Sequence, residues 1–225
     1  MKMRMLIVLL ICCLCAGCGY RQAEVTEDTA AETVETFEDS SPRRIVPLPC
    51  TVDLNQVSDC TLAVSLEKEG LIRDESGGVQ LQMTVYAYDV YDAADISRMK
   101  TGDTISINRQ DLLIASLEES QYGSVLINGG LENGGHELRA GEGGIYYETG
   151  FSDVKSYYEL GSIALPLSAA FVYVDASDLD LGESRWPLEA FESMYEEIAF
   201  YSQPGSTSVV VEDGAVVSLI RVYVP

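Results

Sequence analysis

The sequence predicts a mainly β fold with one or two helices, an α+β chain whose strands close a small antiparallel barrel or sandwich. Three stretches predict it. Residues 79–90, VQLQMTVYAYDV, place Val79, Leu81, Met83, Val85 and Ala87 at every second position, the spacing of a half-buried strand. Residues 207–212 and 215–224 are β-branched runs joined by Asp213-Gly214, a pair suited to the positive φ angles of a type I′ hairpin turn. Residues 187–201 carry Leu188, Phe191, Met194, Tyr195, Ile198 and Ala199 at helical spacing, with Glu189, Glu192, Glu196 and Glu197 elsewhere on the wheel, as in a helix packed on a sheet.

Taken in order, the chain opens on MKMRMLIVLLICCLCAGC. Lys2 and Arg4 precede an apolar run from Leu6 to Leu14, and Ala16-Gly17 precede Cys18. Charge, a short apolar stretch and small residues make a secretory signal, and the run is shorter than the roughly 20 residues of a membrane-spanning helix. The stretch resembles the signal peptide of bacterial lipoproteins, whose motif is an aliphatic residue, a small residue, Gly or Ala, and then the lipidated Cys. Ala16-Gly17-Cys18 matches the last three positions, while Cys15 stands where Leu is usual and Leu14 lies one place early. The resemblance implies removal of residues 1–17 by signal peptidase II, acylation of Cys18, and a membrane-anchored, extracytoplasmic protein. Residues 18–44 then read as a tether, because AEVTEDTAAETVETFEDS is acidic and poor in bulky apolar residues and buries too little surface to offset its ordering entropy. A flexible chain of that length spans on the order of 25–30 Å.

Residues 45–225 read as one β-rich domain. Leu62, Val64 and Leu66 alternate in TLAVSLEKE, and Ser76-Gly77-Gly78 turns that strand into residues 79–90, a long hairpin. Residues 93–100 suit one helical turn or a loop. TISIN (104–108), DLLIASLE (111–118) and GSVLIN (123–128) are further strand candidates. The long hairpin followed by TISIN resembles an OB-like barrel in outline. Residues 128–144, NGGLENGGHELRAGEGG, read as a long glycine-rich loop or a loose hairpin, with IYYET (145–149) and IALPLSAAFVYV (163–174) as strands after it. Pro166 is expected at an edge or bulge.

The hydrophobic content is 47%, so the chain is not disordered overall, and the net charge is −22. An acidic surface repels phosphates and excludes nucleic acid as a partner. After loss of the signal, two cysteines besides Cys18 remain, Cys50 and Cys60. Outside the cytoplasm two remaining cysteines are expected to form one disulfide, which for so short a loop stabilises by roughly 3 kcal/mol; the alternative is two free thiols.

No catalytic or cofactor-binding residue stands out. The sole histidine, His136, has Ala140 rather than a second His four residues on, and no G-x-S-x-G elbow occurs. His136 therefore reads as a solvated loop residue. The glycine-rich stretch lacks Gly-Lys-Ser/Thr and carries Glu132, Glu137 and Glu142, which repel phosphate. Paired carboxylates hydrolyse glycosides, but with 36 Asp and Glu no pair can be singled out. The best cation candidate is DASDLDLGE (175–183), where Asp175, Asp178 and Asp180 crowd one loop that could supply oxygens to Ca²⁺. The tyrosines, among them Tyr86, Tyr88, Tyr91, Tyr146, Tyr147, Tyr157 and Tyr158, are apolar rings with polar tips and suit ligand or protein contact. The expected function is a membrane-anchored, non-enzymatic module that binds an envelope protein or a small extracellular ligand. The alternatives are an envelope glycan hydrolase and a Ca²⁺-stabilised structural domain.

Overall fold

A computed structural model describes residues 41–75, 77–151 and 154–224. The expected signal peptide, the Cys18 anchor and most of the tether lie outside the described residues. The chain runs through β1 (Arg44–Ile45), β2 (Cys60–Arg73), β3 (Val79–Tyr88), β4 (Val90–Asp92), α1 (Ala93–Ser97), β5 (Thr104–Ile107), β6 (Gln110–Leu113), β7 (Leu117–Glu119) and β8 (Val125–Ile127). It continues through β9 (His136–Gly141), β10 (Ile145–Thr149), β11 (Tyr157–Ala176), β12 (Ser184–Pro187), α2 (Leu188–Tyr201), β13 (Thr207–Glu212) and β14 (Ala215–Val222). The mainly β, α+β expectation holds.

The strands β2, β3, β11, β14 and β13 pair in that order, and β13 returns to β2, so the sheet closes on itself. In chain order the ring reads first, second, third, fifth, fourth, with α2 between the third and fourth strands. This is the OB-like arrangement, but the third barrel strand is β11, not TISIN. Alternation turns Leu62, Val64, Leu81, Met83, Val85, Val209, Val211 and Leu219 inward, all essentially buried. β11 is long because it serves two ladders. Residues 157–166 pair antiparallel with β3, and residues 167–176 pair parallel with β14, with an irregularity between Leu167 and Val172. Pro166 sits where one ladder ends, consistent with the expected bulge.

Helix α2 closes the barrel. Phe191 is fully buried against Phe171, Tyr173 and Tyr195. The Tyr195 hydroxyl donates to the carbonyl of Glu67 at 2.7 Å, inside an irregularity of β2 between Leu66 and Leu71. Gly70 is needed there, since a Cβ would meet the Gln82 carbonyl oxygen at 2.6 Å and the Tyr195 hydroxyl at 2.7 Å. Pro187 is the N-cap rather than the first helical residue, because Ser184–Pro187 is held as a strand against β11. The C-terminal hairpin is as expected, with Asp213 at φ 49° and Gly214 at φ 75° and Glu212 opposite Ala215.

Residues between β3 and β11 form an inserted module with its own core. Tyr91, Ile96, Met99, Ile105, Ile107, Ile114, Ile127 and Leu138 are buried together, joined by Ile45 from the N-terminal segment. Its strands make a three-stranded sheet, β1-β5-β6, and a five-stranded sheet, β4-β10-β9-β8-β7. TISIN therefore belongs to this module. The folded part begins before residue 45, because Arg44 pairs with Thr104 in β1 and Arg43 hydrogen-bonds Asp103. DLLIASLE divides into two strands because the Asn128 side chain accepts from the backbone N–H groups of Ala115 and Ser116, bending the chain between them. In the glycine-rich segment the hairpin alternative holds over part of its length. His136–Gly141 is a strand between β8 and β10. Gly135 lets the chain enter it closely, for a Cβ there would lie 2.1 Å from the Ile127 carbonyl oxygen.

Candidate functional site at the seam of barrel and insert

The insert leaves the barrel through one residue, Asp89, between β3 and β4, and returns through the segment ending at Ser156 before β11. Both connections meet a polar cluster. Asp89 and Glu148 are only 3% and 4% exposed. The turn between β5 and β6, Asn108-Arg109, has both residues at positive φ, 48° and 65°. That conformation is uncommon outside glycine and is most unfavourable for a residue such as Arg109, which lacks a short polar side chain. Asp89 holds the turn, accepting from the Asn108 N–H at 2.6 Å. The Asn108 side chain donates to Glu148 Oε2 at 2.8 Å and to Ser156 Oγ at 3.3 Å. The other oxygen of Glu148 lies 2.5 Å from His136 Nδ1. Asn108 Oδ1 is buried without a partner among the described residues, a cost the rest of the cluster must outweigh.

Burial pushes the Asp89 carboxyl above the usual carboxylate range, opposed by the Asn108 N–H and the Tyr158 hydroxyl and reinforced by the charge of Glu148. Burial likewise raises the Tyr158 phenol, with Asp89 adding to the effect, and raises Tyr91 far above its ordinary value. Tyr91 donates to the Ser106 carbonyl at 2.8 Å inside the module.

Outside this cluster lies a layer of tyrosines. Tyr86 and Tyr88 point away from the barrel core, as alternation predicts, and are half-buried. Tyr157 stands opposite Tyr88 in the β3–β11 ladder. The Tyr86 hydroxyl shares a hydrogen bond with Ser65 Oγ at 3.1 Å. A cleft of about 220 Å³ opens on this face, floored by Thr61, Ala63, Tyr86, Tyr88 and Tyr157 and walled by residues 48–52. The wall is fixed at one end by the Leu48 N–H, which donates to the Val90 carbonyl at 2.6 Å, and at the other by Val52 and Leu54 packed on the barrel core. Arg109, in the turn between β5 and β6, lies 4.9 Å from the centre of the Tyr158 ring.

The other residues singled out in the sequence are placed otherwise than expected in the structure. Cys50 and Cys60 are free thiols, not a disulfide. Cys60 turns inward at the start of β2 with Val52, Leu54 and Val57 against the core, while Cys50 is exposed on the wall of the cleft, so the two sulfurs face different surroundings. Burial raises the Cys60 thiol. Asp175, Asp178 and Asp180 do not converge on one point. Asp175 accepts from the Tyr173 hydroxyl at 2.8 Å and from Ser177, and pairs with Arg221 at 3.1 Å. Burial alone would raise its carboxyl, but the Ser177 and Tyr173 hydrogen bonds and the Arg221 charge hold it below the ordinary range. Asp178 accepts from the N–H groups of Asp180 and Leu181, a turn rather than a ligand set, and Asp180 is exposed. Among the described residues no three His, Cys, Asp or Glu side chains are placed to hold one ion. His136 is likewise not a solvated loop residue but a half-buried strand residue bonded to Glu148. Sequence reasoning missed Asp89, Asn108 and Glu148. The one available signal was a charged residue interrupting apolar strands, Asp89 within YAYDVYD and Glu148 within IYYET. Neither protein-family models nor curated proteins nor solved structures gave a match to this chain.

Proposed function

We propose that this protein is a lipid-anchored, extracytoplasmic, non-enzymatic binding module that takes a small extracellular ligand in the tyrosine-lined cleft at the seam. The observation that carries the reading is the cleft itself. Half-buried tyrosines from β3 and β11 form its floor beside an apolar wall, and rings with polar tips give contact area at little entropic cost. The face it occupies is the one OB-type barrels use for ligands, an argument from fold alone. The volume suits one small solute or a single residue of a larger partner, since drug-sized pockets begin near 300 Å³. Anchorage rests on the first eighteen residues: removal of the signal before Cys18 leaves an acylated cysteine, and two or more chains hold a protein on a membrane where one does not.

Thermal unfolding of the full chain in detergent, against a panel of envelope glycans, peptides and small solutes, tests binding. A ligand at about 100 times its Kd stabilises by about 2.7 kcal/mol. That stabilisation should be lost in Tyr86→Ala, and no shift with any solute defeats the reading. For the anchor, Cys18→Ala should migrate as an unacylated chain that keeps its first seventeen residues. Membrane retention at unchanged mobility would contradict it.

A second reading, glycan hydrolysis, draws on Asp89 and Glu148, two neighbouring carboxyls of which one is shifted upward, as acid–base hydrolysis of glycosides asks. Both are sealed from solvent in this structure, so they are read as the pin that holds the insert. Turnover of a polysaccharide that disappears in Asp89→Asn and Glu148→Gln would reverse that order.

A further inference from the structure

The seam already holds an ammonium. Lys155 Nζ donates to the Tyr88 hydroxyl at 2.8 Å and lies 4.1 Å from the centre of the Tyr88 ring and 5.3 Å from that of Tyr147. Tyr88 stands edge-on to Tyr147 at 6.2 Å and to Tyr157 at 5.5 Å. The two rings over the ammonium come from β3 and β10, and Tyr157 of β11 stands beside Tyr88, so only the docking of the insert on the barrel assembles the cage. The chain has 36 acidic residues, yet among the described residues Lys155 makes its contacts with tyrosines and no carboxylate pairs with it. Its charge also favours the Tyr157 phenolate, partly offsetting the burial that raises that group. Two of the three rings, Tyr88 and Tyr157, also line the adjoining cleft.

We propose that this cage is the recognition point for the alkylated ammonium group of a small extracellular solute, with Lys155 as the built-in occupant that such a ligand displaces. The inference deepens the cleft reading and rests on it. Ring faces attract cations through their quadrupoles, and aromatic cages select quaternary ammonium groups. A primary ammonium such as that of Lys155 leaves hydrogen bonds with water behind when it enters the cage and, among the described residues, regains one there, to Tyr88. A quaternary ammonium has no N–H to strip of water, so it competes favourably for the same rings. The net charge of −22 draws cations toward the surface at long range. The cleft beside the cage then accommodates the rest of the solute.

Because Lys155 is tethered in place, it lowers the apparent affinity of any competitor. Calorimetric titration of choline into the full chain should therefore give a Kd at least tenfold lower for Lys155→Ala than for the unsubstituted protein. Adding Tyr88→Ala to that variant should abolish binding, and 3,3-dimethylbutan-1-ol, the neutral isostere of choline, should bind at least tenfold more weakly. Lys155→Met, which keeps the aliphatic stem, should behave as Lys155→Ala does and serves in its place if the smaller side chain unfolds the protein. A folded Lys155→Met with no gain in choline binding overturns the proposal, as does equal binding of the neutral alcohol. Solutes that stabilise through Tyr86 while choline does not would sink the ammonium assignment and leave the cleft reading standing. Silence from every solute would sink both.

Discussion

The barrel is closed by apolar packing, whereas the seam that joins it to the insert is held by polar groups. At the barrel's closed end Phe191, Tyr195, Ile198 and Ala199 of α2 fill the interior against Phe171 and Tyr173, and the Tyr195 hydroxyl is satisfied by the Glu67 carbonyl. At the seam two buried carboxylates, a histidine, an asparagine with an orphaned oxygen and an arginine at positive φ do the holding. Apolar burial stabilises in proportion to area and tolerates imprecision, whereas a polar network stabilises only when every member is satisfied. Strain and unmet hydrogen bonds are seldom kept where packing alone would suffice. The seam is therefore the part of the fold where stability has been given up.

The largest effect expected is in the barrel. Phe191→Ala should destabilise by about 3–5 kcal/mol and Leu138→Ala, in the insert, by about 2–5 kcal/mol, both read by urea unfolding. The two cores share a strap: Ile45 enters one, while Val52 and Leu54 pack on the other. Tyrosine fluorescence and far-ultraviolet dichroism should therefore report a single transition in both variants. A separate early transition in Leu138→Ala would show that the seam does not couple the cores.

Next comes the seam itself. Glu148→Ala strands the Asn108 amide and removes the partner of His136, at an expected cost of about 1–3 kcal/mol. Glu148→Gln, which keeps acceptor capacity, should cost less. Equal losses would mean that shape rather than hydrogen bonding holds the insert.

Two buried aspartates should respond to acid in opposite directions. Burial would raise Asp103, but the N–H groups of Arg43 and Lys100 and the charges of those residues hold its carboxyl below the ordinary range. The stability it contributes is present above the unfolded pKa, about 3.9, and lost as pH falls through its lower folded value. Asp89 is shifted upward, so its contribution is greatest below about pH 3.9 and is lost as pH rises through its folded value. Asp89→Asn should thus be more stable than the unsubstituted chain at pH 7, with the gap closing by pH 3, whereas Asp103→Asn should be less stable at pH 7 with its deficit shrinking in acid. Urea midpoints at pH 7, 5 and 3 test both signs.

The smallest effect is expected at the surface. Arg73 pairs with Glu192 at 2.6 Å, but Arg73 is 59% exposed, and Arg73→Ala should change stability by no more than about 1 kcal/mol.

The sequence by itself determined the elements whose cause is local. Alternation in β3 placed Tyr86 and Tyr88 outside and Met83 inside, the Asp213-Gly214 pair turned the final hairpin, and the helical spacing from Leu188 to Ala199 marked the face of α2. Each depends on residues within one or two turns or one strand of each other, where backbone sterics and periodicity act alone. The tertiary structure decided what depends on distant partners. β11 is a single long strand because β3 and β14 each claim half of it, and β9 forms in a glycine-rich stretch because β8 and β10 lie on either side. The seam gathers residues 89, 108, 136, 148 and 156 from separate segments. A charge within an apolar strand marks Asp89 and Glu148 but not their partners, because what holds the group together is the pairing of carboxylates with donors that only the folded chain brings within reach.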